Sequence, residues 1–228
     1  RIFPESPYDK NAEASVWREQ IKTEYGFCIS SMQSIWYGRQ EKIFGTQDER
    51  QILVDYTKKA IDFACSIGCH NLVLGCPRNR NLPDGVEKDI ALPFFKEIGD
   101  YADKNGTAIG MEANPPIYHT NYINDTASAL TLIEQVDSAG FKLNLDVGTM
   151  IYNEEDVSVL IGKVHLINHV HVSEPWLKPI ETRTLHHELK NVLMNEAYQG
   201  FVSIEMGKVE NLAIIEEKLS YIGEIFGR

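Results

Sequence analysis

A parallel α/β barrel, (β/α)8, is the fold this sequence predicts, and three observations predict it. Short apolar runs alternate with helical patterns along all 228 residues. The runs are mostly continuous Val, Ile, Leu and Phe, the pattern of strands buried on both faces. Four residues with metal-binding groups close such runs: Glu112, Asp146, His171 and Glu205, spaced 34, 25 and 34 positions apart. Each spacing is about one strand–helix unit, and in such a barrel successive strand ends converge on one mouth, where the chemistry is done.

Strands are expected over residues 26–33, 71–75, 107–112, 142–147, 166–172 and 201–206. The stretch 48–67 puts Ile52, Leu53, Tyr56, Ala60, Phe63 and Ile67 on one side of a helix, and 125–136 does the same with Ala127, Leu130, Leu132, Ile133 and Val136. Asn124 or Asp125 would cap the latter. Helices are also expected over 11–25, 86–105, 154–163, 187–196 and 209–226, with Gly106 and Gly200 punctuating before the next strand. Six strands are read where closure needs eight. Arg1-Ile-Phe3 reads as the tail of a seventh, so the expectation is a barrel lacking its first strand–helix unit. Without low-complexity tracts or long linkers, residues 1–228 read as a single domain. The alternative, an open doubly wound sheet, usually carries a Gly-rich phosphate loop, and no G-x-G-x-x-G follows any strand here.

The formal charge of −11 and the lack of a Lys/Arg-rich run argue against nucleic-acid or anionic-membrane binding, which need cations. No apolar run approaches the roughly 20 residues that span a bilayer, and no signal-peptide pattern opens the chain. Cys28, Cys65, Cys69 and Cys76 are scattered in or beside apolar segments, which fits reduced thiols in a cytoplasmic protein. Cys65-x3-Cys69-His70 falls at a helix end and is set aside as a metal clip. A homo-oligomer is left open.

Three carboxylates and an imidazole brought to one mouth would repel as anions unless a cation sat among them. That hard, oxygen-rich set favours Mn²⁺, with Mg²⁺, Co²⁺ and Zn²⁺ as alternatives. Glu112 and Glu205 are the expected acid/base pair: a carboxylate on each side of the sugar takes a proton from carbon on one face and returns one on the other, through a cis-enediolate. Asp146 and His171 complete the coordination.

The residues also support a resemblance. Gly110-Met-Glu-Ala-Asn-Pro-Pro116, Asn121-Tyr-Ile-Asn-Asp125, Leu145-Asp-Val-Gly-Thr-Met150, His169-Val-His-Val-Ser-Glu-Pro175 and Tyr198-Gln-Gly-Phe-Val-Ser-Ile-Glu-Met206 resemble the sugar phosphate isomerase/epimerase branch of the xylose isomerase-like TIM barrels. Ser31-Met-Gln-Ser34 with Tyr37-Gly38, and Leu74-Gly-Cys-Pro-Arg-Asn-Arg80, are similar to that group's earlier strand ends. In the related ketose 3-epimerases a Glu, an Asp, a His and a Glu hold Mn²⁺ or a similar ion, and both Glu residues act as acid and base. The resemblance implies these roles for Glu112, Asp146, His171 and Glu205. It matches the second imidazole of the His-Val-His pair to the metal and leaves His169 facing the opposite side or a neighbour. The epimerases place a substrate-binding His where this chain has Thr149, and an Arg where it has Leu177 followed by Lys178. Hydroxyl recognition is therefore expected to differ. The barrel endonucleases acting on abasic DNA need more His ligands and a basic face.

Further substrate contacts are sought around the same mouth. Arg78, Asn79 and Arg80 follow a strand directly, and either grip a phosphate or carboxylate or form a solvated loop. Gln33, Trp36 and Tyr37 are candidates to wall a sugar, with helix packing the competing role for Trp36. Asn114, His119, Thr149, Glu174, Trp176 and Lys178 complete the candidates. His187 has a capping or surface role as its alternative, and His186 beside it is expected to be solvated. Glu154-Glu-Asp156 reads as a helix N-terminus favoured by the dipole. The expected function is a divalent-metal-dependent isomerase or epimerase of a small sugar or sugar phosphate. The alternatives are a keto-inositol dehydratase-type lyase, a non-catalytic carbohydrate-binding protein and a metal-dependent hydrolase.

Overall fold

The computed structural model describes residues 7–227, so the strand expected at Arg1-Ile-Phe3 lies outside the described residues. Five strands, β1 (Asn71–Leu74), β2 (Ala108–Met111), β3 (Phe141–Asp146), β4 (Ile167–Val172) and β5 (Phe201–Ile204), form one sheet in the order of the chain. Every pairing is parallel. Helices return the chain between strands: α1 (Asn11–Tyr25), α2 (Gln47–Ile67), α3 (Leu92–Lys104), α4 (Thr126–Val136), α5 (Val147–Tyr152), α6 (Thr184–Asn195) and α7 (Leu212–Phe226). The result is a half-barrel of α/β units.

Local chemistry explains the element ends. A capping box opens α2, with the Thr46 hydroxyl accepting from the Glu49 N–H while the Glu49 carboxylate accepts from the Thr46 N–H. Gly68, at φ 68°, closes that helix in the left-handed region that glycine adopts freely. Asp125 and Asn211 cap α4 and α7 through their side-chain oxygens. The core lies between sheet and helices. Phe94, Phe95, Ile98 and Ala102 of α3 are buried against the sheet, and the Phe95 and Phe141 rings stand 5.0 Å apart. Each of the larger side chains, Phe94, Phe95 and Ile98, contributes about 1.5–3 kcal/mol by leaving water.

Three expected elements are corrected. The strand at 26–33 is reduced to one bridge, Met32 to Leu72, in which Met32 donates to the Asn71 carbonyl and accepts from Val73 (both 2.8 Å). Gly26 ends α1 in the left-handed region, and Phe27 and Cys28 are exposed, so this segment has little to bury. The helix at 86–105 begins only at Leu92, after a 3-10 turn at Lys88–Ala91. Pro93 lacks an N–H and fits only a helix's first turn. The helix at 154–163 is a 3-10 turn, Val157–Leu160, because Glu154 takes φ 55° and Asp146 starts α5 earlier instead. No helix among the described residues is long and apolar enough to cross a membrane.

Candidate metal and proton-transfer site

The four spaced residues meet at the C-terminal ends of their strands. Asp146 and His171 are register partners on β3 and β4. Glu112 and Glu205 each stand one residue beyond a strand, and their N–H groups donate to the Leu74 and Val172 carbonyls of the neighbouring strands at 3.3 and 2.9 Å. The pleat therefore delivers all four side chains to one side of the sheet. One ligand atom from each lies within 4.8 Å of the other three. Among the described residues this is the only such group of three or more His, Cys, Asp or Glu side chains.

The imidazole is the hub. His171 Nδ1 lies 3.3 Å from Glu112 Oε2, 3.1 Å from Glu205 Oε2 and 3.2 Å from Asn144 Nδ2. Asn144 also donates to Glu112 Oε2 at 2.9 Å. Glu112 Oε1 accepts from Asn114 Nδ2 at 3.0 Å, and Glu205 Oε1 accepts from Gln33 Nε2. Asp146 Oδ2 accepts from the Ser173 hydroxyl at 2.5 Å, and its Oδ1 accepts from the Thr149 N–H at 2.6 Å. Each carboxylate is thus oriented by a neutral donor, while Oε2 of Glu112 and of Glu205 also approaches the ring nitrogen. Such a cluster is satisfied by a proton or by a cation.

Electrostatics says the same. Burial and the charges of Glu112 and Glu205 push Asp146 up to about 7. Burial works to lower His171, but its hydrogen bonds to Glu112 and Glu205 and their charges outweigh it and push it up to about 10. Both groups hold protons in the folded, chelator-treated protein that they would release if unfolded. Their contribution to stability is present at low pH and falls as pH rises, from 3.8 to about 7 for Asp146 and from 6.5 to about 10 for His171. A cation competes with those protons for the same atoms. Mn²⁺ uptake is therefore expected to release protons and to tighten from pH 6 to pH 8. Calorimetry in buffers of different ionisation enthalpy checks this, and a pH-independent affinity would contradict it.

Gly75 marks how closely the chain fits the site. A Cβ there would stand 2.8 Å from Glu112 Oε1. Gly75→Ala is expected to displace that carboxylate, weakening metal binding about tenfold or more and destabilising the fold by about 1–3 kcal/mol. A metal titration and a denaturant melt measure the two effects.

The other expected residues divide into several groups. Thr149 is buried, with its hydroxyl 2.8 Å from Asp146 Oδ1 and 2.9 Å from the Ala113 carbonyl; its one proton serves either. Gln33 and Asn114 touch the glutamates directly. Asn79 is buried and donates to the Arg39 and Glu41 carbonyls, so its N–H groups pin a loop. Arg80 is fully buried, and Arg78 is exposed. Trp36 packs, donating to Thr57 Oγ1 of α2 at 2.8 Å, while Tyr37 is exposed. Glu174 is buried and paired through both oxygens with Arg183 (2.7 and 2.6 Å). Lys178 lies over the Trp176 ring, 5.5 Å from its centroid. His119 and His187 are exposed.

One imidazole settles between its two expected placements and another is corrected. Of the two placements expected for His169, the neighbour holds: residues two apart on a strand share a face, its ring is 5.2 Å from that of His171, and its Nε2 pairs with Ser203 Oγ of β5 at 2.8 Å. His186 is not solvated but buried, with Nδ1 2.9 Å from the Tyr221 hydroxyl. Asn144 and Ser173 were missed by sequence reasoning. Each sits two residues from a ligand, Asp146 or His171, so the same alternation would have found them.

Beyond the strand ends, the loops meet at the turn Pro175–Leu177. Trp176 N–H donates to the Tyr118 hydroxyl at 3.0 Å, and Gly207 N–H donates to the Leu177 carbonyl at 2.7 Å. Tyr152 of α5 packs edge-on against Trp176 at 6.0 Å.

Comparison with known proteins agrees with this architecture. The family profile described as xylose isomerase-like TIM barrel matches residues 6–225. A search of curated proteins finds no match. Among solved structures, D-psicose 3-epimerase in the presence of D-fructose is similar with TM-score 0.78 and 16% identity, over 96% of this chain and 85% of that one. Apo 3-keto-D-glucoside 4-epimerase from E. coli gives TM-score 0.72 and 18% identity, over 97% and 95%. An AP endonuclease of family 2 from Brucella melitensis gives 0.74 and 16%, over 92% and 83%. At these identities the likeness is one of fold.

Proposed function

Because the chain belongs to the xylose isomerase-like TIM barrel family, we propose that it is a divalent-metal-dependent isomerase or epimerase of a small sugar or sugar phosphate. One observation carries the reading: two glutamates from different strands, Glu112 and Glu205, flank one imidazole nitrogen at 3.3 and 3.1 Å. The three carboxylates and His171 would hold the ion, and an oxygen-rich set with one nitrogen suits Mn²⁺ or Mg²⁺. A cation held there supplies positive charge for a carbonyl oxygen that becomes an oxyanion.

The protein's own groups do the rest. One glutamate takes the proton from the carbon beside the carbonyl, leaving a cis-enediolate, and Asn144 and Gln33 keep the two carboxylates aimed inward. Return of that proton to the neighbouring carbon gives an isomer. Delivery to the opposite face of the same carbon of a second proton, one held by the other glutamate, gives an epimer and leaves the first glutamate protonated. Half-buried Asp146, held by Ser173 and Thr149, keeps its orientation throughout.

A DNA hydrolase is disfavoured by the charge of −11, which repels phosphodiesters. The test is incubation with Mn²⁺ and a panel of ketoses, phosphoketoses and inosones in D₂O. Carbon-bound deuterium in recovered sugar is the expected result. Sugar returned unchanged and without deuterium would indicate a binder, a dehydrated product the lyase, and a released anion or shorter product the hydrolase.

A further inference from the structure

Arg80 is fully buried, yet of its guanidinium nitrogens only Nη2 has a hydrogen-bond partner among the described residues; Nε and Nη1 have none. That one bond is short, 2.6 Å, to Asn114 Oδ1, and Asn114 Nδ2 in turn donates to Glu112 Oε1 at 3.0 Å. A buried cation with most of its donors unused is costly unless a charge nearby compensates it. The nearby charge is Glu112, which favours the cationic form of Arg80 although burial lowers its pKa to about 10.

We propose that Arg80 is a positioning residue for the metal site, acting on Glu112 through the Asn114 carboxamide. The inference rests on the metal reading given above. Its logic is directional. A carboxamide has one accepting end and one donating end. With Oδ1 taken by Arg80, Asn114 can present only N–H to Glu112, so Oε1 is occupied and Oε2 is left turned to the His171 nitrogen. Asn114 and Glu112 are each 7% exposed, so water has little access to break the chain. Gly75 closes the other side of Oε1, where a Cβ would stand 2.8 Å away. Charge points the same way: three carboxylates, one divalent ion and one arginine, with a neutral imidazole, come to electroneutrality in a buried volume. A monovalent ion would leave the cluster negative, so the buried arginine also selects for a doubly charged guest.

The experiment is Mn²⁺ titration of metal-stripped full-length protein, followed by the EPR signal of free Mn²⁺, with thermal melts in parallel. Arg80→Met is expected to weaken Mn²⁺ binding about tenfold or more, and Arg80→Lys, which keeps the charge, to recover part of the loss. Asn114→Ala is expected to produce a similar loss, and the Arg80→Met/Asn114→Ala double variant to lose little more than either alone, because both cut one chain. A purely structural arginine would lower the melting temperature and leave Mn²⁺ affinity within about twofold of the unmodified protein, which would overturn the inference. Independent, multiplying losses would overturn it too. If the Arg80 variants do not fold, Asn114→Ala decides alone: unchanged affinity sinks the proposal. Absence of Mn²⁺ uptake by the unmodified protein would instead show that the metal reading fails, and the inference with it.

Discussion

Replacement of Glu205 by Gln is expected to lower carbon–proton exchange into sugar by about 10²–10⁴-fold, the range a general acid/base group supplies, while the melting temperature stays close to that of the parent. Glutamine matches the size of glutamate and retains a carbonyl oxygen that can still accept from Gln33 Nε2. What it lacks is a basic oxygen for the proton. Glu205 stands beyond the end of β5, where residues are only half buried, so the fold does not depend on its charge. The carboxylate is also an expected ligand, and a Mn²⁺ titration of the same variant separates lost chemistry from lost metal. Deuterium incorporation at the parent rate in Glu205→Gln would remove this residue from the acid/base role.

The second large effect is on stability. Three carboxylates within 4.8 Å of an imidazole are held together against their own repulsion. A ligand that binds only the folded protein at a hundred times its dissociation constant stabilises by about 2.7 kcal/mol, which for a chain of this size raises the melting temperature by roughly 5–10 °C. Mn²⁺ added to chelator-treated protein is expected to give that rise, and a larger one at pH 8 than at pH 6, because fewer protons then compete at Asp146 and His171. Asp146→Ala is expected to abolish the rise, since it removes a ligand whose two oxygens are pre-set by Ser173 and Thr149. An equal Mn²⁺-induced shift in parent and variant would place the ion elsewhere.

Much of this was legible because strand ends are a strong positional code. Glu112, Asp146, His171 and Glu205 could be read as one site from their spacing alone, since a parallel sheet with regular returns brings its strand ends to one edge. The same code, applied at a period of two, extends to Asn144, Ser173 and His169; reading only the terminal residue of each run missed the first two and left the third between two placements. Helix α1 was legible to its ends, and α3 was misread at its start because apolar spacing continued through a stretch that Pro93 interrupts. Loop residues were the least legible. Nothing in Pro77-Arg-Asn-Arg80 tells which arginine stays in solvent and which is drawn under Asn114, because that choice is made by contacts with residues more than thirty positions away. His186 and His187 pose the same problem on a helix: one position of rotation, set by Tyr221 of α7, decides which is buried.

Crystals soaked in Mn²⁺ and measured at a wavelength where manganese scatters anomalously address the central claim most directly. One anomalous peak per chain, within coordinating distance of Glu112, Asp146, His171 and Glu205, is the predicted result. A map with no peak among those four side chains, or with manganese bound only elsewhere, would contradict the account.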